Sequence, residues 1–131
     1  AICRRAEEAV DPLGVPRSLY TNPEVASFGL SKEEAEKAGY DVLVEQLPFS
    51  YNGRAIAIGE TEGYVKLISE KQYHLLLGAV IVGPNGTDLL QNLILLRQAE
   101  ATLDQVLETV FAHPTTSELI QEVAKRLVQD D

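Results

Sequence analysis

The order of hydrophobic and polar positions separates an extended first part of the chain from a helical last part. Short runs rich in branched and aromatic residues, bounded by Gly, Pro and Asn, are typical of strands. Such runs predict strands at residues 19–21, 25–30, 40–49, 63–69 and 75–82. The last two are separated by a short polar turn, which predicts a hairpin and an antiparallel sheet.

Four helices are predicted from capping signals and from hydrophobic residues at helical spacing. Ser31 and Glu34 have the spacing of a capping box, and Gly39 ends the helix that they open. Residues 52–55 predict a turn that leads into an irregular stretch. Three further helices are predicted at residues 87–100, 102–110 and 117–129. Because strands come first and helices follow, we predict an α+β domain with helices packed on an antiparallel sheet.

Two segments carry more hydrophobic residues than one covered face requires. The strand at residues 75–82 has no polar position, so both of its faces are expected to be covered. The helix at residues 87–100 has an apolar arc wider than the roughly 100° that a surface helix needs, with Leu95 on the remaining side. Taken alone, this helix fits a central position inside one domain as well as an interface. The neighbouring apolar strand favours the interface.

Length and charge limit the classes of function. The 131 residues fit one domain, and 11 basic against 20 acidic residues give a net charge of -9. Repulsion between like charges argues against nucleic acid or an anionic membrane as a partner. No apolar run in the sequence is long enough to span a bilayer.

The beginning of the chain has the composition of a linker, with Pro12 and Gly14 close together. We predict that residues 1–14 are a linker or the end of a preceding domain and that residues 15–131 form the domain itself. Cys3 is the only cysteine, which excludes an internal disulfide, a CxxC pair and a cysteine-rich zinc site. This cysteine usage predicts the reducing cytoplasm as the compartment.

One short segment, residues 113–118, contains candidate chemistry. His113 precedes Pro114, and the residue before a proline is driven out of helical geometry, so His113 is expected in a loop. Glu118 lies in the first turn of the helix that follows. A carboxylate in that place would hold the imidazole by a hydrogen bond, fix its tautomer and favour its protonated form. Such a pair can act as general acid and base.

A structural explanation of the same residues is the more common one on spacing alone. Thr115 and Glu118 also have the spacing of a capping box, in which Glu118 only satisfies amides at a helix end. His113 would then be an exposed loop residue. The other histidine, His74, lies in the hairpin turn and is predicted to be solvent-exposed and inert. The acidic residues show no metal-ligand spacing, so no metal site is predicted.

Several segments together resemble the dimerisation domain of flavin-dependent disulfide reductases. The resemblance covers nearly everything from Val15 to the last helix, and His113-Pro-Thr-Thr-Ser-Glu118 is its most specific part. The continuation at residues 119–123 is more similar to lipoamide dehydrogenases than to glutathione reductases. The matching segments, in the family's order and spacing, are residues 20–30, 54–55, 63–67, 77–84 and 113–118.

The resemblance implies a homodimer in which the loop with His113 enters the active site of the other subunit. His113 would exchange protons with the thiols of a dithiol substrate, and Glu118 would orient and polarise it. The backbone at His113 and Pro114 would lie close to the partner's FAD, with NAD as the second cofactor. The family's nucleotide-binding loops and redox-active cysteine pair do not occur in this sequence, so the chain is expected to bind neither cofactor and to be inactive alone.

Three functional hypotheses are therefore open. The first is a lipoamide-dehydrogenase-type dimerisation domain that supplies His113 and Glu118 to its partner, with the components of a 2-oxoacid dehydrogenase complex as further partners. The second is the same fold as a non-catalytic assembly module, in which Glu118 only caps its helix. The third is a disulfide reductase of the glutathione reductase type.

Overall fold

A computed structural model of the chain describes residues 10–129. Its centre is a five-stranded sheet in which every pair of neighbouring strands is antiparallel. The strands lie side by side in the order β1-β2-β5-β4-β3. Their bounds are β1 (Arg17–Leu19), β2 (Glu24–Gly29), β3 (Val42–Pro48), β4 (Tyr64–Glu70) and β5 (Leu76–Gly83).

Helices make up most of the rest of residues 10–129. None of them is both long enough and apolar enough to cross a membrane. Short 3-10 turns occur at Pro12–Gly14 and Phe49–Tyr51. The α-helices are α1 (Lys32–Lys37), α2 (Gly53–Ile58), α3 (Gly86–Gln98), α4 (Leu103–Glu108) and α5 (Glu118–Gln129).

The predicted hairpin and the predicted fold class are both confirmed. β4 and β5 pair directly, with Leu67 opposite Ala79 and Val65 opposite Ile81. Directly opposite side chains share a face of the sheet, so these four buried residues form one apolar face. α3 packs against β2 and β5, and α5 packs against β3 and β4. The chain is an α+β domain with helices packed on an antiparallel sheet.

A smaller layer covers part of the opposite face. Neighbouring residues in a strand point to opposite faces, and Leu67 belongs to the main core whereas Ile68 belongs to a separate cluster. That cluster contains Leu77 of β5 and Ala35, which lies in α1. α1 therefore packs on the face of the sheet that α3 and α5 leave open.

The prediction that β5 is covered on both faces is confirmed only over its first half. Leu76 and Leu77 belong to different clusters on the two faces and are 3% and 5% exposed. Val80 and Val82, further along the strand, are half-buried. With six residues, α1 is only about 9 Å long and is too short to cover the whole face.

Helix α3 is buried on one side and open on the other. Leu89, Leu90 and Leu93 are buried in the main core. Leu95, which the sequence places on the remaining side, is 60% exposed. This division agrees with the interpretation in which part of the helix faces outwards.

The prediction of an irregular stretch after residues 52–55 is wrong, because α2 forms there. Asn52 caps this helix by accepting the backbone N–H of Ala55 at 2.9 Å. Gly59 ends it in the left-handed conformation, with φ at 73°. Both end signals are present in the sequence, but the helix itself has only six residues, which is too short for a reliable hydrophobic period.

The described part of the predicted linker packs against the domain. Asp11 accepts the N–H of Leu13 at 3.0 Å and also bonds to Arg97 of α3, with Nε and Oδ2 3.1 Å apart. The turn at Pro12–Gly14 contacts both β2 and α3. Residues 1–9 of that predicted segment, including Cys3, lie outside the described residues.

Candidate functional site

The predicted site residues lie in the loop between α4 and α5 and at the first position of α5. That position is followed by Leu119 and Ile120, which are 1% and 2% exposed and lie in the main core. Because these two side chains are packed, the rotation of the first turn of α5 is fixed. Glu118, the first residue of α5, is thereby placed next to the loop.

His113 and Glu118 form the hydrogen bond that their spacing predicts. Nδ1 of His113 lies 2.8 Å from Oε1 of Glu118. The imidazole is 82% exposed, whereas the Glu118 side chain is only 26% exposed. The peptide bond between His113 and Pro114 is cis. The pair therefore lies at the surface, with the carboxylate on its inner side and the ring on its outer side.

Glu118 also satisfies the backbone at the start of α5. Its second oxygen, Oε2, accepts the N–H of Thr115 at 2.7 Å. Each carboxylate oxygen has its own partner, so capping the helix and holding His113 are compatible roles. The hydrogen bond from Thr115, and after it the one from His113, lowers the pKa of Glu118 from its ordinary value. The carboxylate is consequently ionised at neutral pH.

The ionised carboxylate determines which nitrogen of His113 carries the proton. A carboxylate only accepts hydrogen bonds, so Nδ1 of His113 is the donor. In the neutral ring the lone pair then lies on Nε2. Nε2 can take a proton from an external group and return it, while Glu118 stabilises the charged ring in between. The arrangement suits proton transfer to and from a reactant that approaches from outside the loop.

Hydrogen bonds of Thr115 hold the shape of the loop. Its hydroxyl donates to the carbonyl of Ala112 at 2.7 Å and lies 2.8 Å from the hydroxyl of Ser117. Its own carbonyl accepts from Nδ2 of Asn52 at 2.9 Å. The loop is thus shaped by bonds within this chain before any partner binds.

Asn52 is a residue of this region that the sequence does not single out as part of the site. It is 6% exposed and lies at the N-terminus of α2. The cap itself has a sequence signal, since Asn precedes a short run that ends at Gly59. Its contact with Thr115, 63 residues later in the chain, has none.

A concave surface lies beside the pair. The guanidinium of Arg126 lies 5.5 Å from the centre of the Tyr51 ring, close enough for a cation–π contact. Both residues belong to the wall of a cavity of 210 Å³ that also reaches His113. The imidazole therefore lies at the edge of a cavity with mixed polar and apolar walls. Its other lining residues are Leu47, Asn52, Gly53, Pro114, Glu118 and Glu122.

The prediction that His74 is solvent-exposed is wrong. Its Nδ1 lies 2.9 Å from Oδ2 of Asp104 in α4, and its side chain is only 20% exposed. His74 has a positive φ of 54°, and its carbonyl accepts the N–H of Leu103 at 3.0 Å. These contacts join the hairpin turn to the start of α4.

Within residues 10–129, no group of three or more His, Cys, Asp or Glu side chains could hold a metal ion.

An apolar groove separates α3 from the segment that follows α4. It has a volume of 370 Å³, and its walls include Leu93 and Leu96 of α3 together with Val106, Val110 and Phe111. Val110 is 95% exposed. Exposed apolar surface of this kind usually marks a place of contact with another molecule.

Residues 15–124 match the family model described as the pyridine nucleotide-disulphide oxidoreductase dimerisation domain. The chain is 38% identical to a dihydrolipoyl dehydrogenase of Geobacillus stearothermophilus over 117 residues, which are 89% of this chain and 25% of that protein. It is 42% identical to a dihydrolipoyl dehydrogenase of Thermus scotoductus over 113 residues, which are 86% of this chain and 24% of that protein. The chain thus spans about a quarter of the length of the curated relatives that it matches.

Solved structures share the fold. LpdA from Mycobacterium tuberculosis has a TM-score of 0.85 at 24% identity, covering 92% of this chain and 26% of that one. The HOCl-induced flavoprotein disulfide reductase RclA from Escherichia coli has a TM-score of 0.81 at 24% identity, covering 85% of this chain and 26% of that one. At this identity the likeness concerns the fold alone. By its match to the family model and its sequence relatives, the chain belongs to the pyridine nucleotide-disulphide oxidoreductase family, as a dimerisation domain of that family.

Proposed function

We propose that this chain is the part of a dihydrolipoyl dehydrogenase that holds two subunits together and supplies His113 and Glu118 to the active site of the partner subunit. The observation that carries the proposal is an imidazole that is bonded to an ionised carboxylate through Nδ1 and is 82% exposed. With its ring turned outwards, His113 leaves Nε2 open to a reactant from outside residues 10–129. It is suited to serve a group on a neighbouring subunit.

In the proposed reaction, His113 moves protons while the dithiol is oxidised. A thiol reacts as its thiolate, so a proton must leave before the sulfur attacks a disulfide sulfur of the enzyme. Nε2 of His113 takes that proton, and Glu118 stabilises the positive ring until the proton is released. The attack forms a mixed disulfide and releases the other enzyme sulfur as a thiolate, which takes up a proton. The second substrate thiol loses its proton to Nε2 of His113 in turn, and its thiolate attacks the substrate sulfur of the mixed disulfide. The bond to the enzyme sulfur breaks, which closes the substrate disulfide and leaves the enzyme pair reduced.

FAD and NAD would be held by other parts of the full-length protein, where they would supply the electron-accepting chemistry for the reduced cysteine pair. This chain's own contribution is positional. The family resemblance implies that its loop backbone at His113 and Pro114 would approach the partner's flavin. Alone, the chain would therefore be inactive.

Dimerisation through α3 is part of the proposal. Val110 is 95% exposed and lines the apolar groove together with Leu96 and Phe111. Leu95, which lies on α3 next to Leu96 in the sequence, is 60% exposed. Burial of this surface in a symmetric dimer would remove it from water. It would also fix the segment that leads into the loop with His113, since Val110 lies only three positions before it.

The proposal also includes further partners and a compartment. The curated relatives bear the name dihydrolipoyl dehydrogenase. The resemblance to lipoamide dehydrogenases implies the components of a 2-oxoacid dehydrogenase complex as partners. The single cysteine, Cys3, supports a location in the reducing cytoplasm.

A substrate panel on the full-length gene product tests the proposal. We expect rapid NADH formation from dihydrolipoamide and NAD, and little turnover with glutathione disulfide and a reduced nicotinamide cofactor. The reverse preference would favour a glutathione-reductase-type enzyme. Absence of both activities in a folded protein that retains its flavin would favour an assembly module. Sedimentation of the same preparation should show a dimer, and a stable monomer at high concentration would contradict the proposed role of α3.

A further inference from the structure

Asn52 connects helix α2 to the loop that carries His113. Its side chain is 6% exposed, and both ends of its amide are in hydrogen bonds. Oδ1 accepts the N–H of Ala55 at 2.9 Å, and Nδ2 donates to the carbonyl of Thr115 at 2.9 Å. Breaking either bond would leave a buried polar group without its partner, so the amide holds both segments firmly.

Thr115 links Asn52 to the pair formed by His113 and Glu118. Its carbonyl is held by Asn52, and its N–H is bonded to Oε2 of Glu118 at 2.7 Å. Its hydroxyl donates to the carbonyl of Ala112, the residue directly before His113. A displacement of Thr115 would therefore disturb both ends of the bond between His113 and Glu118.

We propose that Asn52 is a positioning residue that acts through His113, because it holds Thr115 and with it the loop at residues 112–118. The inference rests on the proposed function, since that function gives His113 its role. Asn52 bonds to the loop backbone, so its effect on proton transfer is indirect. Misplacing a reacting group by about 1 Å can lower a rate roughly 100-fold, so a small shift of the loop has a measurable effect.

Asn52→Asp in the full-length gene product is the test variant. Aspartate caps a helix as well as asparagine does, so it keeps the bond to Ala55. Its second oxygen replaces Nδ2, however, and has no proton to donate to the carbonyl of Thr115. We expect kcat for dihydrolipoamide oxidation to fall roughly 10- to 100-fold. NADH-dependent reduction of a dye involves no thiol, so its rate should match that of the wild type.

Ser31→Ala is the matched control. It removes the side-chain cap of α1, where Ser31 accepts from the N–H of Glu34 at 3.2 Å, on the other face of the sheet. A general loss of stability would therefore occur in both variants. We expect Ser31→Ala to retain both the dithiol rate and the dye rate.

A double-mutant cycle with His113→Gln separates positioning from a merely structural role. If Asn52 acts through His113, adding Asn52→Asp to His113→Gln causes no further loss. The inference is overturned by a further loss in the double variant, by an equal fall of the dye rate, or by an unchanged dithiol rate in Asn52→Asp. An unchanged rate in His113→Gln overturns the proposed function instead. If Asn52→Asp does not fold, Asn52→Ser serves the same cycle, since its hydroxyl can cap α2 but is one atom shorter than the amide that bonds to Thr115.

Discussion

The chain contains two histidines that are bonded to a carboxylate in nearly the same way, and they differ in where the ring faces. Nδ1 of His113 lies 2.8 Å from Glu118, and Nδ1 of His74 lies 2.9 Å from Asp104. The ring of His113 is 82% exposed, whereas that of His74 is 20% exposed. The bond alone therefore does not distinguish a candidate acid–base pair from a structural one.

The backbone explains why the two rings face differently. His74 has a positive φ of 54° at the end of the hairpin turn, and its carbonyl bonds to the N–H of Leu103, so the residue is held against α4. His113 lies in a loop whose shape is held by hydrogen bonds of Thr115 to Glu118 and to the carbonyl of Ala112. These bonds do not bury the His113 ring. Access to Nε2 is thus the property that separates the two pairs. The comparison can be tested by substituting the histidine or the carboxylate in each of the two pairs.

The largest expected effect is on turnover when His113 is changed. In the full-length gene product, His113→Gln should lower kcat/KM for dihydrolipoamide by roughly 100- to 10,000-fold, the usual contribution of a general acid–base group. The matched variant His74→Gln should retain the wild-type value. Steady-state NADH formation measures both. Equal losses in the two variants would show that the difference in exposure has no functional meaning.

The next largest effect is expected for Glu118→Gln. The amide keeps one oxygen for the N–H of Thr115 but loses the charge that supports the imidazolium. We expect kcat to fall roughly 10- to 1,000-fold, because the tautomer and the charge of His113 are both affected. Glu108→Gln is the control, since Glu108 is an exposed carboxylate at the end of α4. A wild-type rate in Glu118→Gln would leave Glu118 with its capping role only.

For the free energy of unfolding we expect the opposite order of the two histidine variants, with the larger loss in His74→Gln. His74→Gln removes a side-chain bond between the hairpin and α4, so it should lower the free energy of unfolding by about 1 kcal/mol. His113→Gln changes an exposed ring and should alter it by less than about 0.5 kcal/mol. Urea unfolding followed by circular dichroism compares the two. A larger loss for His113→Gln would contradict the assignment of His74 as the structural member.

The smallest effect concerns the dependence of stability on pH. The hydrogen bond from His74 is the largest cause that lowers the pKa of Asp104 from its ordinary value. A lowered pKa means that the ionised form stabilises the fold above the unfolded pKa of about 3.9, and that this contribution is lost as the pH falls. The stability difference between wild type and Asp104→Asn should therefore shrink from about pH 5 to about pH 3. A constant or growing difference in urea unfolding would contradict it.

Local signals in the sequence predict much of this structure. Ser31 and Glu34 form the predicted capping box, and the spacing of His113 and Glu118 predicts their bond. These contacts join residues within one turn or one short loop, so the chain order alone brings them together.

Long-range contacts explain what the sequence does not predict. His74 is hydrogen-bonded to Asp104, 30 residues later, and Asn52 is hydrogen-bonded to Thr115, 63 residues later. Both hydrogen bonds depend on how the sheet places distant segments side by side, and no local sequence pattern predicts that placement. The sequence does not predict the six-residue helix α2 for a related reason, since a helix so short depends on tertiary packing.

A hybrid dimer tests most directly whether His113 serves the other subunit. One subunit would carry His113→Gln, and the other would lack the redox-active cysteine pair that the full-length protein is proposed to contain. If His113 acts across the interface, one site of the hybrid has both components, and roughly half of the wild-type activity per dimer is expected. If His113 acts within its own subunit, neither site is complete. A purified hybrid without activity would contradict the account.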